Sequence, residues 1–138
     1  TWIEREVLDL DGVRFIGTTL WADFDALAER GAPMTHNLRV REKAFRAANY
    51  YLEKARTLRD GVLFDASAMR EESLRCQQWL RAALAVPHAG RTVVVTHFAP
   101  SLHSHDPRYG ITPGTAGFCN VMDDLVPAAD LWLHGHLH

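Results

Sequence analysis

The sequence predicts an α/β fold, on three observations. Residues 92–96 contain three consecutive valines, the continuous apolar run of a strand buried on both faces in a parallel or mixed sheet. A helical pattern feeds directly into that run, which is half of a βαβ unit. A second short apolar strand spans residues 130–134. Both strands run into histidine, at Thr96-His97 and at His134-Gly135-His136-Leu137-His138, so both would deliver imidazoles to the C-terminal edge of a sheet, where open α/β folds keep their sites.

In chain order, residues 7–10 and 13–20 flank Asp11-Gly12, the dipeptide that a two-residue hairpin turn prefers because both central residues need positive φ. Gly17-Thr18-Thr19-Leu20-Trp21 leaves the second strand, and Asp23 is positioned to cap a short helix that stops near Gly31. Residues 37–58 take a helical period through Leu38, Phe45, Ala48, Leu52 and Ala55, and Gly61 ends it. Arg39, Arg41, Lys43, Arg46, Lys54, Arg56 and Arg59 stand there against only Glu42 and Glu53. Such a surplus is either a solvated helix face or a surface for phosphate or nucleic acid, and Tyr50 and Tyr51 can serve the core or a ligand.

A second helix begins at Asp65 or Ser67, buries Met69, Cys76, Leu80, Ala83 and Leu84 on one face, and stops at Pro87. After His97 comes a loop over residues 99–118 that holds Pro100, Pro107, Pro113, His103, His105, Arg108 and Tyr109. Loops of that length inside a compact domain are usually functional. A short helix over residues 120–126 precedes the last strand.

A chain of 138 residues suits one domain with a real core. With 47% hydrophobic and 23% charged residues it is neither disordered nor fibrous. A net charge of -2 creates no global field for nucleic acid, so any such preference has to be local. Cys76 and Cys119 form no Cys-x-x-Cys pair, and buried free thiols suit a reducing cytoplasm. No stretch has the roughly 18 apolar residues of a membrane span, and Thr1 begins no signal peptide, although segments upstream of it are open.

Histidine is the outlier in composition. Of eight, six fall between His97 and His138. Side chains at i and i+2 of a strand share a face with Cα atoms roughly 6.6 Å apart, so His136 and His138 can each take one ion of a pair, with His97 as a third ligand. Gly135 removes a side chain where the backbone has to turn close to the ions. His134 suits packing or support of a ligand better than direct ligation. Arg108 is the candidate for a substrate phosphate because a guanidinium donates bidentately to phosphate oxygens, and His103 and His105 are candidates for the pocket wall.

Thr96-His97-Phe98-Ala99-Pro100 followed by Gly135-His136-Leu137-His138 resembles the C-terminal half of the calcineurin-like metallophosphoesterases, and Gly17-Thr18-Thr19-Leu20-Trp21 resembles a strand of bacterial phosphoesterases of that family. The resemblance implies a partial four-layered α/β/β/α sandwich with mixed sheets and two divalent metal ions at the sheet edge. Manganese leads the candidates, with iron, zinc, nickel or magnesium as alternatives. It implies His97 and His136 on the second metal and His138 on the first, and hydrolysis of a phosphomonoester or phosphodiester by in-line attack of a metal-bridging hydroxide. Its substrate would be a phosphorylated small molecule or nucleotide.

The family's Asp-x-His, Gly-Asp and Gly-Asn-His-Asp/Glu motifs do not occur in this sequence. Residues 1–138 are therefore expected to be one piece of a metallophosphoesterase domain, without its N-terminal metal-binding half and C-terminal tail, inactive alone, and with the general acid upstream of Thr1. Charge points the same way: paired divalent ions need carboxylates beside neutral imidazoles, and Asp123, Asp124 and Asp130 are better suited to capping, solvent or a strand start. The alternative is a non-catalytic binding scaffold of the same fold.

Overall fold

A computed structural model of the protein describes residues 3–137. The chain opens with β1 (Glu6–Leu10) and β2 (Val13–Thr18), an antiparallel hairpin in which Leu10 pairs with Val13. Asp11 and Gly12 take φ of 53° and 79°, the two left-handed residues that the Asp-Gly turn requires. The first helix, α1, spans Met34–Ala55 and is followed by a second hairpin, β3 (Leu58–Arg59) and β4 (Val62–Leu63). Then come α2 (Ala66–Ala85), β5 (Thr92–Thr96) and β6 (Leu131–His134). The main sheet has the order β1-β2-β5-β6, with β5 parallel to both of its neighbours.

Register decides what each sheet face does. Ile16, Val94 and Trp132 are lateral partners, and all three join the core cluster with Leu80 and Cys76 of α2. The opposite face carries Leu8, Phe15, Val93, Val95, Leu131 and Leu133. Leu131 and Leu133 are each 49% exposed, so this face is apolar yet only partly covered among the described residues. The run of valines is thus buried on one face and half-buried on the other. The described residues form this one mixed sheet and the small β3/β4 ladder.

Several local expectations are corrected. No helix follows Asp23. Leu20, Trp21 and Phe24 all have positive φ, and the Asp23 carboxylate accepts from the Asp25 amide at 2.8 Å, which makes a side-chain-closed turn instead of a cap. Helix α1 starts at Met34, directly after Pro33, and stops at Ala55 because Arg56 turns left-handed with φ of 48°. What the periodicity reads as a helix tail is the β3/β4 hairpin, turned at Asp60 and Gly61 with φ of 52° and 80°. The helix expected over 120–126 is also missing: Asn120 N and Met122 N tie the segment to Ala99 O and Pro100 O at 2.9 and 2.8 Å, Leu125 N closes a single turn onto Met122 O at 2.9 Å, and a 3₁₀ turn follows at Val126–Ala128.

The start of α2 matches its signal. Asp65 caps it, its carboxylate accepting from the Ala68 amide at 2.8 Å. Its C-terminus is closed by a residue on the sheet: Arg14, 8% exposed, donates to Val86 O at 2.6 Å and to Ala83 O at 3.4 Å, and its other nitrogens reach the Thr92 hydroxyl. A cation at this position also opposes the negative end of the helix dipole. Replacing Arg14 by Met should cost about 2 kcal/mol, read as a lower urea midpoint at unchanged slope, since it leaves the Val86 carbonyl and the Thr92 hydroxyl without this donor. No helix among the described residues is long and apolar enough to cross a membrane.

Candidate functional site

Strand β5 ends at Thr96, so His97 stands at the C-terminal edge of the sheet, and β6 ends at His134 on the neighbouring strand. The parallel pairing therefore brings the two histidine segments together. His136 Nδ1 lies 3.2 Å from His97 Nε2, with the rings edge to face at 5.2 Å. The His136 ring is also stacked on Phe98, with centroids 4.8 Å apart and planes 19° off parallel. Its orientation is fixed by an aromatic floor as well as by its partner.

The backbone at this point is unusual. His136 has φ of 63°, and the Leu137 amide donates to Gly135 O at 2.7 Å, which closes a three-residue γ-turn of the rare positive-φ kind. A non-glycine residue held there costs on the order of 1–3 kcal/mol, and such strain clusters at functional sites. This overturns the strand geometry expected for His136, because extended alternation stops at His134. His138 lies outside the described residues. At Gly135 a Cβ would come within 3.2 Å of His97 Nδ1, so glycine here permits the close approach of the two imidazole segments.

The remaining histidines divide. His134 is exposed and its Nδ1 lies 3.1 Å from its neighbour's carbonyl, that of Gly135. His103 sits in a 3₁₀ turn, Leu102–Ser104, capped by Ser101, and is exposed. A cavity beside His136 is lined from this loop by residues that include His105, whose Nδ1 lies 2.7 Å from the Leu102 carbonyl, Arg108 and Phe118. His103, a candidate for the pocket wall, is not among the residues that line it. Arg108 reaches the cavity already paired: Asp106 accepts from its Nε at 2.9 Å and from its Nη2 at 2.6 Å. That guanidinium holds the Asp106 carboxyl below the usual carboxylate range.

The candidate carboxylates are likewise engaged. Asp123 accepts from Ser101 Oγ at 2.6 Å, Asp124 from Arg81 at 2.6 Å, and Asp130 from the Thr92 amide at 2.8 Å, at the far end of β5 from His97. Among the described residues no group of three or more His, Cys, Asp or Glu is arranged to hold a metal ion. The His97 and His136 nitrogens do have the spacing of two adjacent ligands on one ion: with metal–nitrogen bonds of about 2.0–2.1 Å, tetrahedral and octahedral ligand angles give separations of roughly 2.9–3.4 Å. The residues present thus fit as a pair of ligands and fall short of a shell.

Glu4 is a residue near the edge that periodicity does not single out. Its carboxylate accepts from Thr18 Oγ1 at 2.8 Å, Thr19 N at 2.7 Å and Thr19 Oγ1 at 2.6 Å, while the Thr19 carbonyl accepts from the Phe98 amide at 3.1 Å. It therefore secures the segment against which Phe98 is tied. Burial pushes its pKa up, but the donors on Thr19 and Thr18 outweigh that and hold it below the usual carboxylate range. A depressed folded-state value means stability that is present above the unfolded value of about 4.3 and is lost as pH falls through the folded one. Wild type should lose more stability than Glu4→Gln between pH 6 and pH 3, measured by urea melts at each pH. Cys76 and Cys119 are both free and buried, and burial pushes the Cys119 thiol up to about 11. That suits packing, not nucleophilic chemistry.

Compared with protein-family models, with curated proteins and with solved structures, the chain matches none of them.

Proposed function

We propose that this chain carries the imidazole side of a dinuclear metallophosphoesterase centre. The observation that carries the reading is the 3.2 Å approach of His136 Nδ1 to His97 Nε2 at the C-terminal edge of parallel strands, made through a strained turn. Both histidines would ligate one divalent ion, with manganese the first candidate, and His138 a second. When bound, the ions supply Lewis acidity toward a phosphoryl oxygen and a nucleophile at neutral pH. The chain's own residues do the rest: Phe98 fixes the His136 ring plane, Gly135 clears space beside His97, and the cavity next to His136 receives the organic part of a phosphomonoester or phosphodiester.

Carboxylate ligands and the general acid would come from chain beyond these residues, and the half-covered apolar sheet face supports a further layer packed there. A phosphorylated small molecule suits the site better than nucleic acid. On α1 and the hairpin after it, Arg41 is committed to Asp25 at 2.6 Å and Arg59 to Glu72 at 2.6 Å, which shrinks the basic surface. The two free thiols support a cytoplasmic setting.

A second reading, a binding scaffold without turnover, draws on the lack of a three-ligand group among the described residues. Metal analysis separates the two, with Mn²⁺-supported hydrolysis of a monoester and a diester measured on the longest polypeptide that contains this chain. Metal that is present and lost in His136→Ala, together with turnover, supports the centre. Unchanged metal in that variant refutes the ligand assignment, and bound metal without turnover moves the protein to the scaffold class.

A further inference from the structure

Beside His136 lies a cavity of about 880 Å³, within the size range of small-molecule sites. Its walls come from α1, from α2, from the segment after β2 and from the loop after β5, and they include Trp21, Tyr51, Leu52, Met69, Phe98 and Phe118. His136 is part of the same wall and leans over Phe98 and Phe118, with ring centroids 4.8 Å and 5.7 Å away. The cavity thus reaches the imidazole pair through His136 and is aromatic where it meets it.

We infer that the cavity selects phosphate esters of planar aromatic alcohols, with the ring held among Tyr51, Trp21 and Phe118 and the phosphate directed toward His97 and His136. The position of the phosphate rests on the phosphoesterase reading; the binding of the ring does not. Three physical points carry the choice. Aromatic pairs contribute about 0.5–1.5 kcal/mol each beyond the area they bury, and Trp21, Tyr51, Phe98, Tyr109 and Phe118 all line this space. A sugar or glycerol group would lose water from each hydroxyl against these walls, at about 1–3 kcal/mol for every one left unpaired. The cation on the wall is already spent, since Asp106 holds Arg108 through two nitrogens, so an anionic end gains more at the imidazole edge than inside.

The test uses this polypeptide, metal-free in chelator, with 1-naphthyl phosphate and glycerol 2-phosphate as calorimetric ligands. Naphthyl phosphate should bind at least about tenfold tighter than glycerol phosphate. Tyr51→Ala should weaken it about five- to tenfold, and because Tyr51 is 70% exposed that change leaves the core intact. Phe118→Ala should act in the same direction, with folding checked by circular dichroism. Equal affinity for the two esters, no naphthyl binding, or naphthyl binding indifferent to both substitutions would each overturn the inference. Loss of the phosphoesterase reading appears separately, as metal content that His136→Ala leaves unchanged.

Discussion

Replacing His136 by Ala should lower the affinity for a divalent transition-metal ion at least about 10- to 100-fold, the range reached by loss of a group that merely supports a ligand. The expectation follows from the pairing of its Nδ1 with His97 Nε2 at 3.2 Å, which would give one ion two of its ligands under the proposed function. It has a corollary that ordinary damage to the fold would not produce. If both rings serve one ion, His97→Ala should cost nearly as much as His136→Ala, and the double variant little more than either, because a single imidazole no longer forms the chelate. Additive losses would assign the two to separate ions. Cobalt absorbance and calorimetric titration with zinc read the affinity directly. Stability provides an independent check: His136→Gly and His136→Ala remove the same ring, but only glycine adopts φ of 63° freely, so the glycine variant should be more stable by about 1 kcal/mol.

How far the sequence discloses this site depends on whether its parts are local. The Asp11-Gly12 hairpin, the Asp65 cap and the buried strand at 92–96 are each specified by residues adjacent in the chain, and each stands where those residues predict. The same dipeptide at Asp60-Gly61 turns a second hairpin, but its strands are only two residues long, and the helical period running up to them masks the signal. Leu20, Trp21 and Phe24 adopt positive φ with no glycine to announce it, because distant groups hold that segment in place. The approach of His97 to His136 is legible from two strands that end in histidine. The cavity is not, since Trp21, Tyr51 and Phe118 are far apart in sequence and nothing local to any of them signals that they line one space. His103 and His105 show the limit of a pattern argument: composition cannot say whether the histidine inside a 3₁₀ turn or the one that caps it lines the cavity.

The group that holds Trp21 against the end of β5 is Asn120, and its loss should be among the most destabilising single changes in the chain. Its side chain is fully buried. Nδ2 donates to Trp21 O at 2.8 Å and to Ala99 O at 3.4 Å, while Oδ1 accepts from Asp23 N at 3.1 Å and Gln77 Nε2 at 3.2 Å. One amide thus joins the segment after β2, the segment after His97 and α2. Asn120→Ala strips a partner from several of these groups and leaves a void, for a loss of about 3–5 kcal/mol in a urea melt. A drop under about 1 kcal/mol would mean that water or repacking replaces the amide. Asn120→Asp preserves shape but aims an acceptor at two carbonyl oxygens, so at neutral pH it should be at least as damaging. Protonating the introduced carboxyl restores a donor, which raises its folded-state pKa above the unfolded value of about 3.9. The penalty relative to wild type should therefore shrink as pH falls through that raised value and grow as pH rises through it, opposite in sign to the acid loss expected from Glu4. Because Trp21 forms a cavity wall and Ala99 lies two residues after His97, both substitutions should also weaken aryl phosphate and metal binding under conditions where the protein remains folded.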